Sequence, residues 1–190
     1  MGGGWTAGHK TIDFIQPLFE PLTQGGFTWF TIDYRLAPDH PYPAPVEDVE
    51  AAVEYVTRNA KRFKVDKKRI ALMGESAGAH LVNLVGIRNR KKSPIDAVVS
   101  FYGPFDLVLF TRKFSGEIPK AWSGFLGITD MNAEALATLH EASPLTYADK
   151  HTPKFLLIHG TEDEVVPYGQ STLLPGLHEK AGSTMRPNYC

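Results

Sequence analysis

Hydrophobic and polar positions along this chain follow two rhythms, short β-rich runs and longer stretches of helical period. Their alternation predicts an α/β layered sheet. Phe27–Asp33 (FTWFTID) is dense in β-branched and aromatic residues behind the Gly25-Gly26 break and is expected to be a strand. A Pro-rich loop, Pro38–Pro45, separates it from a helix that carries Val46, Val49, Val53 and Val56 on one face. Ile70–Met73 is a short apolar run, expected as a buried strand. Leu81, Leu84, Val85 and Ile87 follow in a largely apolar helix, expected at the centre of the domain. Ile95–Phe101 and Phe155–Ile158 are two further expected strands, and a weaker helix over 168–181 is expected to end at Gly182. Residues 11–24 have helical period through Ile12, Ile15, Phe19 and Leu22, with Pro17 and Pro21 expected to kink or interrupt the helix.

Between Gly103 and Thr152 the pattern loosens, and Gly and Pro residues separate Phe105, Phe110, Phe114, Trp122, Phe125 and Leu126. In an α/β sheet an excursion of this length lies over the strand ends, where ligands bind, so residues 104–150 are expected to form a cap-like insertion. The alternative is an apolar segment packed onto its own core.

Composition narrows the class. At roughly 150 residues per domain, 190 residues correspond to one domain or a little more. Hydrophobic residues at 43% and charged residues at 22% are globular values, against a disordered chain. Twenty Lys and Arg against 21 Asp and Glu leave a net charge of −1 with no basic run, against a nucleic-acid surface. No apolar stretch approaches the ~20 residues of a membrane-spanning helix. The single cysteine, Cys190, rules out an intramolecular disulfide, and no His/Asp/Glu cluster has metal-ligand spacing, so neither metal nor cofactor is expected.

Gly74-Glu75-Ser76-Ala77-Gly78 is a G-x-S-x-G between an expected strand and an expected helix. A sharp strand-to-helix turn needs small residues on both sides, because the central serine sits in strained dihedrals while the two backbones approach closely. Such a turn presents the Ser76 hydroxyl at the sheet end as a nucleophile and puts the Ala77 amide at a helix N-terminus. The competing reading is a Gly-rich turn with a capping serine. Gly2-Gly3-Gly4-Trp5 lets successive backbone N–H groups face one concavity, which suits a tetrahedral oxyanion, whereas a terminal glycine run can also be a loose end. The run from Ile158 to Pro167 takes a strand into a turn with three acids. Asp163 is the candidate for orienting a catalytic histidine, Glu162 and Glu164 are expected to face solvent, and His159 is expected to be packed or hydrogen-bonded rather than a base.

Taken in order, GGGW, Asp33–Pro38 (DYRLAP) running on to His40–Pro45, GESAG and HGTEDEVVP resemble the α/β-hydrolase esterases and lipases. Within them the chain is similar to hormone-sensitive-lipase-like carboxylesterases, with wording close to feruloyl and acetyl-xylan esterases. The resemblance covers almost the whole chain. It implies an α/β-hydrolase fold, a mostly parallel sheet with helices on both faces. It also implies Ser76 as nucleophile, Asp163 as triad acid, the amides of Gly3, Gly4 and Ala77 as oxyanion hole, and a small-molecule ester as substrate. Arg35 and Asp33 become scaffold ions.

Two departures from the family pattern carry consequences. The family motif is HGGGW after a strand, and here Met1 stands in the histidine's place. The triad order Ser, acid, His also calls for a histidine after Asp163, commonly in a GHGF-like turn, and the sole candidate is His178 inside an expected helix. The expectation is therefore a hydrolase domain incomplete at both termini and inactive or nearly so. The rival functions are a non-catalytic hydrolase-fold protein that binds a ligand or partner, and a serine peptidase of the prolyl-oligopeptidase type. Compartment and oligomeric state are not legible in the sequence.

Overall fold

The computed structural model describes residues 2–10, 13–88, 95–115 and 117–180, with backbone alone for 13–15 and 175–180. Three strands, β1 (Ile70–Glu75), β2 (Ile95–Phe101) and β3 (Lys154–Ile158), pair in parallel in the order β1-β2-β3. Among the described residues eight α-helices accompany them: α1 (Phe19–Gln24), α2 (Ala44–Arg58), α3 (Ala60–Phe63), α4 (Ala77–Arg88), α5 (Leu107–Thr111), α6 (Lys120–Leu126), α7 (Ala133–Glu141) and α8 (Gly169–Lys180).

The centre is α4. Every residue from Ala77 to Ile87 is buried, because the helix lies on β1 and β2 with α2 and the short 144–147 turn packed on its other sides. A helix surrounded in this way has no solvent face, which explains its near-uniform apolar sequence. Of its two buried polar side chains, His80 is bonded at both ring nitrogens, while Asn83 donates to the Ser100 hydroxyl at 3.0 Å and leaves its Oδ1 without a partner among the described residues. The valine face of α2 is as expected, with Val46, Val49 and Val53 buried. Pro17 and Pro21 act as expected too. The helical stretch splits into a 3-10 turn, Asp13–Leu18, and the short α1. Gly182 lies outside the described residues.

The expected strand over 27–33 does not form. It carries no regular secondary structure, and among the described residues it joins no ladder. A strand is a property of a pair, and β1 is paired through its β2 edge only. Side chains hold the segment instead: Thr31 Oγ1 donates to the Lys10 carbonyl at 3.0 Å, and Lys10 Nζ pairs with Asp33 at 2.8 Å. High β-propensity without a partner leaves Phe27 63% and Phe30 45% exposed.

Sheet register places the functional end of the molecule. Glu75 pairs with Phe101 and Phe101 with Ile158, so the three strands finish level and Ser76, Tyr102 and His159 leave them side by side. The 103–152 region is helical, with Phe105, Phe110, Trp122, Phe125 and Leu139 buried.

The tightest point is Gly74, where a Cβ would come within 2.6 Å of the Gly78 carbonyl carbon and 2.7 Å of the Ala79 nitrogen. These are backbone atoms of the first helical turn and cannot swing away. Gly74→Ala is expected to destabilise the fold by at least about 2 kcal/mol, read as a lower urea midpoint against wild type.

Candidate active site

Ser76 sits between β1 and α4 with φ of 50°, a left-handed conformation that costs a non-glycine residue free energy. Both sides hold it: its N–H donates to Phe101 O at 3.0 Å, continuing the ladder, and its carbonyl accepts the His80 N–H at 2.9 Å, opening α4. Ala77 is the first residue of that helix.

The glycine segment folds over this turn. Gly3, Gly4 and Trp5 have φ of 95°, 60° and 64°, and Gly3 O accepts from both Thr6 N and Ala7 N at 3.1 Å. The Gly2 N–H donates to the Glu75 carboxylate, and the Tyr34 hydroxyl donates to Gly2 O at 3.2 Å. Burial, reinforced by the Glu75 charge, pushes the Tyr34 phenol well above its ordinary range.

A cavity of about 350 Å³ lies at the sheet end, lined by Gly3, Glu75, Ser76, Tyr102, Asp163, Val165 and Val166. It brings together three of the residues picked out in the sequence, Gly3, Ser76 and Asp163. Gly4 and Ala77 do not line it: a Cβ placed on Gly4 would point toward α6 and meet Ala121 Cβ at 3.8 Å, and Ala77 is buried. Asp163 Oδ1 accepts from Val165 N at 2.8 Å and Val166 N at 2.9 Å, which turns the acid loop back on itself. His159 is packed and hydrogen-bonded. Its side chain is 1% exposed, with Nδ1 on the Ser171 hydroxyl at 2.6 Å and Nε2 on Val166 O at 2.9 Å and 3.3 Å from Asp163 Oδ2. Among the described residues, no histidine lines the cavity, and the side chain of His178 lies outside them.

Sequence reasoning missed Tyr102 and Glu75. Tyr102 has φ of 42° at the end of β2, directly beside Ser76 at the end of β1. Its phenol is pushed upward, first by burial and then by the Glu75 carboxylate, to which it is hydrogen-bonded. The available signal was positional, since Tyr102 follows a strand in register with the strand that ends at Ser76. Arg35 and Asp33 stand away from the cavity in exposed ion pairs, Arg35 with Glu47 and Asp48 and Asp33 with Lys10.

Residues 1–177 match the family model described as BD-FAE. The chain belongs to the BD-FAE family. Esterase LipC of Mycobacterium tuberculosis is 30% identical to this BD-FAE chain over 187 residues, 90% of this chain and 44% of its own length. A solved structure described as a truncated form of carbohydrate esterase from gut microbiota superposes at TM-score 0.84 and 28% identity, over 99% of this chain and 73% of that one. The acetyl ester-xyloside bifunctional hydrolase from Caldicellulosiruptor lactoaceticus superposes at TM-score 0.79 and 26% identity, over 99% and 69%. The fold is that of the α/β-hydrolases. The chain spans under half the length of LipC and of the next curated relatives it matches. No described helix is long and apolar enough to cross a membrane.

His80 makes this BD-FAE core sensitive to acid. Complete burial pulls its imidazole from 6.5 down to about 4, against a smaller opposing effect of the Ala142 carbonyl. Between those values the unfolded chain takes up a proton that the folded chain refuses, so stability contributed by the neutral ring is full above pH 6.5 and falls as pH drops toward 4. The loss is expected to reach about 3 kcal/mol at the acid end of that window. Urea unfolding at pH 7 and pH 4.5 should show His80→Gln losing less stability over that interval than wild type.

Proposed function

We propose that this chain carries the nucleophile of a carboxylic ester hydrolase, acting on a small uncharged ester through an acyl-enzyme at Ser76. The supporting observation is the shared cavity: a serine held in left-handed conformation at a strand end faces the same space as the Gly3 loop and the Asp163 carboxylate. In this reading Ser76 Oγ attacks the acyl carbon while its proton passes to a base. The alcohol leaves with a proton, and water then cleaves the acyl-serine to release the acid. The amides of Gly3, Gly4 and Ala77 are assigned to the oxyanion formed at each tetrahedral stage. Asp163 is assigned to orient a histidine base. Residues 104–150 stay assigned as a cap-like insertion, with none of its described residues lining the cavity. Feruloyl, acetyl and simple alkyl esters all remain open as substrates, and the neighbours named for carbohydrate-ester and acetyl-ester hydrolysis support a sugar ester.

Turnover by these 190 residues is expected to be very weak, since removing the histidine from a serine triad costs on the order of 10⁶ in kcat. Among the described residues no histidine lines the cavity, which equally favours the second reading, a non-catalytic binder of a small ligand. A peptidase of the prolyl-oligopeptidase type is disfavoured by the GGGW and DYRLAP segments.

Hydrolysis of p-nitrophenyl acetate by the purified chain tests this. The expected result is slow turnover that Ser76→Ala abolishes and His178→Ala leaves unchanged. A rate indifferent to Ser76→Ala removes the nucleophile assignment. A rate abolished by His178→Ala shows that the base is present after all.

A further inference from the structure

Trp5 and His80 are 75 residues apart in sequence and in direct contact. The Trp5 indole N–H donates to His80 Nδ1 at 3.2 Å, and His80 Nε2 lies 2.7 Å from the Ala142 carbonyl oxygen. An indole N–H can only donate and a carbonyl can only accept. One protonation state satisfies both, the neutral imidazole with its hydrogen on Nε2. All three residues are buried, Trp5 at 4% exposure and His80 and Ala142 at 0%, so an unmet partner would have no water to turn to. Ring packing restrains the same group: Trp5 stacks flat on Phe125 at 4.6 Å and meets the edge of His80 at 5.3 Å.

The position of this contact is what gives it a role. His80 lies four residues beyond Ser76 on α4, and its own N–H takes the Ser76 carbonyl. Trp5 immediately follows Gly3 and Gly4; backbone bonds from Thr6 and Ala7 to Gly3 O and from Ala37 to Trp5 O shape this left-handed loop, and the indole contact joins it to α4. The start of the same loop is fixed by Glu75, which takes the Gly2 N–H from the other side of Ser76.

We propose that His80 is a positioning residue for the glycine loop, setting the direction of the Gly3 and Gly4 amides relative to Ser76 by holding the Trp5 indole, and that through Ala142 it ties the 107–142 segment to the same helix. The inference deepens the ester-hydrolase reading and rests on it for its catalytic consequence. The geometric part stands separately. Loss of the indole contact lets Trp5 pivot, and the amides that follow its backbone turn away from the site assigned to the oxyanion.

The test uses the full 190-residue chain, with ¹⁵N-labelled protein for NMR and p-nitrophenyl acetate for kinetics. In wild type, His80 Nδ1 is expected to be unprotonated and Nε2 protonated at pH 7. His80→Leu, similar in size and unable to bond, is expected to displace the Gly3 and Gly4 amide resonances. It should also lower kcat on the order of 10²-fold with KM little changed. His80→Gln carries one acceptor and one donor at similar reach, and is expected to restore the resonances and most of kcat. Should His80→Leu fail to fold, Trp5→Phe deletes the indole N–H alone, keeps the stack on Phe125 and gives the same readouts. A protonated Nδ1 in wild type overturns the proposal, as does a folded His80→Leu or Trp5→Phe protein with Gly3 and Gly4 amides at wild-type positions. If wild type hydrolyses no ester, the esterase reading falls for this chain, and the tether is decided by the amide resonances alone.

Discussion

The close passage of β1 over the first turn of α4 is the constraint on which the rest of this molecule depends. Gly74 and Gly78 bring two backbones so near that no side chain fits at position 74, and between them Ser76 is bent into a conformation its own side chain disfavours. Such a residue costs on the order of 1–3 kcal/mol and persists only where the surroundings over-determine it. Here a sheet bond to Phe101 O holds one side and a helix bond to His80 N the other. The helix itself is clamped on every face by β1, β2, α2 and the turn at 144–147. Burial of α4 and exposure of the Ser76 hydroxyl are therefore one event.

The same turn organises its surroundings through the side chains on either side of the serine. Glu75 takes the Gly2 N–H and lies against Tyr102, while His80 takes the Trp5 indole. The glycine loop is shaped by its own backbone bonds at Gly3 O and Trp5 O, and its position against Ser76 is set by Glu75 and His80. Level strand ends do the rest. With Glu75, Phe101 and Ile158 in register, the residues that follow converge, and the acid loop folds back through Asp163 to bring Val165 and Val166 to the cavity. Val165 and Val166 thus stand beside Ser76, with the carboxylates of Glu75 and Asp163 in the same lining. The chain belongs to the BD-FAE family and is similar in structure to proteins named as esterases.

Histidine chemistry separates clearly among the buried rings. His159 and His80 are each bonded at both nitrogens, His159 between Ser171 and Val166 and His80 between Trp5 and Ala142. Neither has a free nitrogen to take a proton from Ser76, and neither lines the cavity. Both serve to pin a loop onto the sheet end.

Much of this was legible in the residues alone. The valine spacing of α2, the apolar run of α4, the small residues around Ser76 and the prolines that split the first helical stretch are local signals, and local sterics enforce them. The packed character of His159 was likewise readable from its place at the end of a strand run. The segment 27–33 shows where such reasoning stops: its β-propensity is real, but a ladder needs a second strand and propensity cannot supply one. Tyr102, Glu75 and the Trp5–His80 contact were out of reach for the same reason, since each acquires its role from a partner far away in the chain. Spacing and turn chemistry, acting over a few residues, determined the elements and the turn that presents Ser76. Pairing between distant segments, which only the folded chain brings about, decided which groups meet at the cavity and what holds them there.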